Sequence, residues 1–189
     1  MVEVYFLDTN VILDYLEKRN QDVSDIVAQL LHFHGKGRII VATSVFNIAE
    51  LIDTEFQIHF IGECINQRMS GDEIIGRLSR DKAMYKQIAD TTKDKIAKGI
   101  QEFLTRNNIE VLSLDSKPQG LDDLYGLIYG NLLRPQDALI VACALSNNAA
   151  YFLSSDADLL DAIGERLNGF SLRDKKQRET FRDNVLKVI

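Results

Sequence analysis

VEVYFLDTNVILDYL, residues 2–16, reads as a strand that runs straight into a helix. Val2–Leu7 is rich in β-branched and aromatic residues, and Asp8 follows it with no intervening loop. Asp is a favoured N-cap, and the apolar residues from Val11 onward suit a helix that begins near Thr9. Three more segments read as strands in the same way: Arg38–Ala42 (RIIVA), Glu110–Leu114 (EVLSL) and Ala150–Leu153 (AYFL). Helical stretches separate them. Val23, Ile26, Val27, Leu30 and Leu31 make an i, i+3, i+4, i+7, i+8 stripe. A second helix starts near Thr43 and runs through NIAELI. Pro135 suits the first turn of a third that continues to Ala149. Strands alternating with helices predict an α/β fold, a central parallel sheet covered on both faces, with ligands in the crevice outside the carboxyl ends of the strands.

The 189 residues, 46% hydrophobic and 26% charged, suit one folded domain with room for a helical elaboration. No apolar run approaches the ~20 residues of a membrane span, and no basic segment precedes the first strand. Cys64 and Cys143 sit in apolar surroundings, as free thiols of a reducing cytoplasm do. From about residue 55 to 108 no strand signal is present. Met84, Ile88, Ile96, Ile100, Phe103 and Leu104 fit one face of a long helix whose outer face carries Lys82, Lys86, Lys93, Lys95 and Lys98. This is expected to be a helical insertion in a single domain spanning residues 1–189. Phe56, Phe60, Ile61, Cys64 and Ile65 are apolar enough to pack on the core or on a second subunit.

The net charge is −6, which taken alone argues against nucleic acid. The charge is uneven, however. Residues 82–106 carry a net +3, and residues 166–189 a net +4. The rest of the chain is therefore strongly acidic. Within the basic C-terminal extension, about 168–189, Arg173, Lys175, Lys176, Arg178 and Arg182 are candidate contacts to a phosphate backbone.

Four acids carry the functional reading. Asp8 follows the first strand, Glu50 lies inside FNIAELI, Asp137 lies in the first turn of RPQDALIVACAL, and Asp156 follows the last expected strand in FLSSDADLL. Singly, three of them are explained as helix caps or first-turn acids, and Glu50 as part of a solvent stripe with Asn47, Asp53 and Thr54. Together, two stand just past strand ends and two stand early in helices leaving the same sheet edge. Four carboxylates in one crevice repel unless cations neutralise them. All-oxygen ligands without His or Cys favour Mg2+ or Mn2+, ions that also accept substrate phosphates. The chemistry this suggests is hydrolysis of a phosphodiester.

The order of these motifs resembles that of the PIN-domain nucleases. The resemblance rests on YFLDTNVILDYL, VATSVFNIAELI, RPQDALIVACAL and AYFLSSDADLL, and covers most of the chain outside the insertion and the C-terminal extension. It implies a three-layer α/β/α fold and Mg2+- or Mn2+-dependent endonucleolytic cleavage of single-stranded RNA. Asp8, Glu50, Asp137 and Asp156 match the family's four acidic, metal-binding positions. Asn10 and Ser154 match supporting polar positions, and Asp158 competes with Asp156 for the fourth. Many such proteins are VapC-type toxins with an antitoxin partner, and many are homodimers.

His32, His34 and His59 lack metal-binding spacing and read as structural. Ser154–Ser155 lacks the surroundings of a nucleophilic serine. No phosphate-binding glycine loop is present, and Asn10 stands where an aspartyl phosphatase would need a second acid. Asp122 and Asp123 read as turn or first-turn acids. Two other readings remain beside the toxin: a housekeeping RNA-processing nuclease with no antitoxin, and a non-catalytic module that binds RNA or protein.

Overall fold

A computed structural model describes residues 2–80, 88–114 and 118–189. Five strands, β1 (Glu3–Leu7), β2 (Ile39–Ser44), β3 (Glu110–Leu112), β4 (Tyr151–Ser154) and β5 (Asn168–Ser171), form one sheet in the order β3-β2-β1-β4-β5. Every pairing is parallel, so all strands end at the same edge. The chain winds outward from β1 through β2 to β3, then returns to the other side of β1 to place β4 and β5. The carboxyl ends of β1 and β4 therefore flank the point where the winding reverses, the place where such sheets open a crevice.

The helices are α1 (Thr9–Leu16), α2 (Gln21–Gly35), α3 (Val45–Asn66), α4 (Gly71–Arg80), α5 (Asp90–Arg106), α6 (Pro118–Tyr125), α7 (Pro135–Ser146), α8 (Ala157–Ile163) and α9 (Lys175–Phe181). Single π-helical turns follow α6 and α9, at Gly126–Gly130 and Arg182–Leu186.

Backbone contacts divide the chain into two compact units, Met1–Ile48 with Asn107–Ile189, and Ala49–Arg106. In the first, register shows how the layers form. Tyr5 pairs with Tyr151, and Phe6 with Phe152. Successive side chains on a strand point to opposite faces. The Phe6 and Phe152 rings stack on one face, 5.3 Å apart, and join a core with Ala138, Val141 and Ala142 of α7 and Leu159 and Ile163 of α8. On the other face Tyr5 and Tyr151 stack at 4.7 Å, with Phe170 and Phe181 of α9 closing around Tyr151. Helices thus cover both faces, giving three α/β/α layers. Burying each such ring contributes roughly 1.5–3 kcal/mol. α7 is apolar on several faces because it is buried from Ala138 to Ala144, Leu139 alone being partly exposed.

Four of the strands lie where the sequence suggests, with β2 running on to Ser44, so that Thr43 and Ser44 belong to the strand and α3 begins at Val45. β5 is an addition, in what reads as a basic extension. Its NGFS sequence has the composition of a turn, and it becomes a strand by pairing with β4 at the sheet edge. A Cβ at Gly169 would stand 2.8 Å from Leu160 Cδ2, so a larger residue here would have to turn the Leu160 side chain of α8 aside.

In the second unit, Phe60, Cys64 and Ile88 form a small core with Phe56, Met69, Ile74 and Leu78, while Ile65 is exposed. Ile96, Ile100 and Phe103 are the buried residues of α5. Lys93 pairs with Asp90 on its surface. Lys82, Met84 and Lys86 lie outside the described residues. Cys64 and Cys143 are buried free thiols, and burial pushes the Cys143 thiol up to about 11. Among the described residues no helix is long and apolar enough to cross a membrane.

Candidate carboxylate site

Asp8 is N-cap of α1 at the carboxyl end of β1, and its amide continues the sheet by donating to Leu153 O at 3.0 Å. The capping role and the candidate functional role fall on one side chain. Asp8 is almost fully buried. Its Oδ1 accepts from Thr9 N (2.8 Å) and Asn47 Nδ2 (3.0 Å). Its Oδ2 accepts from Asn10 Nδ2 (2.9 Å) and Ser154 Oγ (2.5 Å). Four donors from β1–α1, α3 and β4 thus fix the carboxylate in one orientation.

Asn10 and Ser154 both donate to the Asp8 carboxylate. Asn10 Nδ2 also reaches Ser154 Oγ (3.3 Å), and its Oδ1 accepts from Ser155 N (2.8 Å). Ser154 Oγ accepts from Asp156 N (3.0 Å). Asp8 is therefore linked to Asp156 through a single hydroxyl. Asp156 is exposed and caps α8, its Oδ1 accepting from Leu159 N (3.0 Å). Asp158 is exposed in the first turn of the same helix.

Asn47 is the residue that sequence reasoning missed. It lies not on a solvent stripe but fully buried. Ser44 Oγ accepts from Asn47 N (3.1 Å), while Asn47 Oδ1 accepts from Ser44 N (3.3 Å) and Ser44 Oγ (2.5 Å). This is a capping box with Asn in the place usual for Glu or Gln. With Oδ1 so engaged, Nδ2 turns to Asp8 and to Thr9 Oγ1 (3.1 Å). The S-x-x-N spacing at a strand-to-helix junction was the available signal.

Asp137 stands in the first turn of α7, partly buried. Desolvation and the negative charge of Asp156 raise its pKa above the ordinary carboxyl range, against a smaller opposing effect of Arg134. Its folded-state pKa exceeds its unfolded one, so in the window between them the folded chain holds more protons, and stability falls as pH rises. Asp137→Asn should therefore melt higher than wild type at pH 7, with the gain disappearing below the ordinary Asp pKa of about 3.9. Thermal melts across that range check this, and a variant less stable than wild type at neutral pH would contradict it.

Glu50 lies on α3, three residues after Asn47, in the unit Ala49–Arg106, and is partly buried. Among the described residues no three His, Cys, Asp or Glu side chains lie close enough to hold a metal ion. The donors at the strand ends are nonetheless all oxygen, the type a hard divalent cation takes. The mutual repulsion of Asp137 and Asp156 is what such an ion would relieve.

The basic residues of the C-terminal segment divide. Arg173 grips buried Asp14 through two bonds (2.8 and 2.6 Å), and Arg178 bonds Asp22 (2.7 Å) and Leu172 O (2.9 Å). Lys175 and Lys176 are exposed, and Arg182 is partly buried. His34 is structural. Its ring nitrogens lie 3.0 Å from Ile39 O and 2.8 Å from Asn108 O, joining the end of α2 to β2 and to the turn before β3. Asp122 and Asp123 fall in the second half of α6.

The parallel sheet reversing at β1/β4, with acids at both strand ends, defines a class, and the PIN domain family model matches residues 5–165. The chain belongs to the PIN domain family. Solved structures of similar fold include VapBC2 from Rickettsia felis bound to a DNA fragment from their promoter (TM-score 0.56, 16% identity, covering 89% of this chain and 98% of that one). Another is VapBC-1 from nontypeable Haemophilus influenzae (TM-score 0.55, 17% identity, 89% and 97%). No curated protein sequence matches significantly.

Proposed function

We propose that this chain is a divalent-metal-dependent endoribonuclease that hydrolyses phosphodiester bonds of single-stranded RNA. Asp8, Glu50, Asp137 and Asp156 supply its carboxylates, and Mg2+ or Mn2+ is its cofactor. The observation that carries this reading is the buried Asp8 network at the β1/β4 reversal, linked through Ser154 to Asp156, whose charge in turn acts on Asp137. Membership of a family that consists in general of nucleases supports it.

A divalent ion held there would polarise the phosphodiester and ease loss of a proton from the attacking water. The chain's own part is orientation. Asn47, Thr9, Asn10 and Ser154 hold both Asp8 oxygens still, and the α8 cap holds Asp156. Asp137, partly desolvated and repelled by Asp156, is stabilised in its charged form when positive charge arrives. Asp158 stands beside Asp156 as a supporting acid. Lys175, Lys176 and Arg182 are proposed for the RNA backbone. Arg173 and Arg178 are already engaged within the chain.

The VapBC structures support a protein antitoxin as partner, and homodimerisation is proposed with it. The cytoplasm is the proposed setting, consistent with two buried free thiols. The test is cleavage of labelled single-stranded RNA, duplex RNA and single-stranded DNA, each with Mg2+, with Mn2+ and with chelator. Cutting confined to single-stranded RNA and abolished by chelator is expected. RNA binding without cutting would leave the non-catalytic module in its place.

A further inference from the structure

The chain has no tryptophan, yet it presents an exposed aromatic face in the segment that leads into α7. Tyr125, at the end of α6, and Tyr129, in the π-helical turn after it, lie with ring planes 15° apart and centroids 6.1 Å apart. They are 60% and 75% exposed. Large aromatic rings usually bury their faces, so a near-parallel pair held open to water is a surface awaiting a flat partner. The turn that carries them is anchored: Asn131 Nδ2 donates to Ala162 O of α8 at 2.8 Å. α8 is the helix that Asp156 caps, and the chain leaving the turn reaches Asp137 within eight residues of Tyr129.

One cation lies against the segment that carries this face, and a second acts on Asp137. The guanidinium of Arg166 lies against Gly126, between the two tyrosines in sequence; a Cβ there would be 3.8 Å from its Nη2. Arg134 is the N-cap residue of α7, three before Asp137. Positive groups beside open aromatic rings suit a polyanion with flat bases: the rings take the bases and the guanidinium groups the phosphates. A protein partner would use the apolar rings but would not by itself call for both arginines.

We propose that Tyr125 and Tyr129 form a stacking platform for unpaired RNA bases, with Arg166 and Arg134 on the adjoining phosphates. An incoming base would continue the existing ring stack over the open side of Tyr129. The proposal rests on the nuclease reading for its substrate class, but its test is binding and not turnover.

The probe is a short single-stranded RNA carrying one fluorescent aminopurine, titrated into wild type, Tyr129→Leu and Tyr129→Trp with chelator present so that nothing is cut. Wild type should quench the fluorophore on binding. Tyr129→Leu should bind about tenfold more weakly and lose the quench. Tyr129→Trp should recover both. Because the ring is exposed, all three should melt together, and the same RNA as a duplex should bind the three proteins alike. Equal binding by wild type and Tyr129→Leu overturns the platform even if wild type cleaves RNA. A platform that binds RNA on a protein that never cuts it sinks the nuclease reading and leaves this one. If wild type binds no RNA, the platform falls, and exposed Leu132 makes the same face a candidate for protein contact.

Discussion

Asp8→Asn should lower RNA cleavage by at least about 100-fold, the loss typical when one preorganised polar group is removed from a reacting centre. It should do so without unfolding the protein. The carboxylate takes two hydrogen bonds on each oxygen, from Thr9 N and Asn47 Nδ2 on one and from Asn10 Nδ2 and Ser154 Oγ on the other. An amide can replace only one oxygen. It settles with its NH2 toward Ser154 and Asn10, because the backbone amide of Thr9 cannot turn round, and Ser154 Oγ can accept from it only by giving up its weak contact with Asn10. One donor, Asn10 Nδ2, then faces the new NH2. Asn10 keeps its bond from Ser155 N, so the cost is expected at about 1–3 kcal/mol, that of one poorly satisfied buried donor. Melting followed by circular dichroism and cleavage assayed on the same preparation separate the two effects. A folded Asp8→Asn protein with wild-type cleavage would remove Asp8 from the mechanism.

The second large effect lies away from the carboxylates and bears on stability. Asp14 is completely buried on α1, and Arg173 reaches it from the segment after β5 with two bonds, its own side chain half exposed. The pair is asymmetric. Arg173→Met leaves a buried carboxylate with no cation and should destabilise by about 3 kcal/mol, toward the low end for a broken buried pair because the guanidinium side is open to water. Asp14→Asn leaves a guanidinium that can turn to solvent and should cost less. The Arg173→Met, Asp14→Asn double variant should recover part of the loss. Urea denaturation of the four proteins measures this, and two single variants of equal cost would contradict the asymmetry.

What the sequence disclosed follows from how local its causes are. β1, the Asp8 cap and the first turn of α7 are legible because strand composition, Asp at an N-cap and Pro135 at N1 act within a few residues. Those same local roles place Asp8 and Asp156 at the ends of adjacent strands, so two separate caps come to share one sheet edge. β5 was not legible, because NGFS has no strand preference apart from its neighbour β4. The basic segment reads as an RNA surface because nothing near Arg173 in sequence shows that its partner is Asp14, 159 residues away. Asn47 reads as an exposed polar residue because the partner that buries it, Asp8, is 39 residues back. Long-range polar contacts of this kind, carrying no periodic signature, are where the structure adds most.

If these carboxylates perform hydrolysis together, Glu50 tests it most sharply because it lies inside α3 and caps no helix. The measurement is the single-turnover rate of cleavage of one labelled single-stranded RNA, with Mg2+ and with Mn2+, by wild type and by Glu50→Gln from parallel preparations of equal melting temperature. The account predicts metal-dependent cutting by wild type and a loss of at least about 100-fold in the variant with either ion. Equal rates for the two proteins would contradict it.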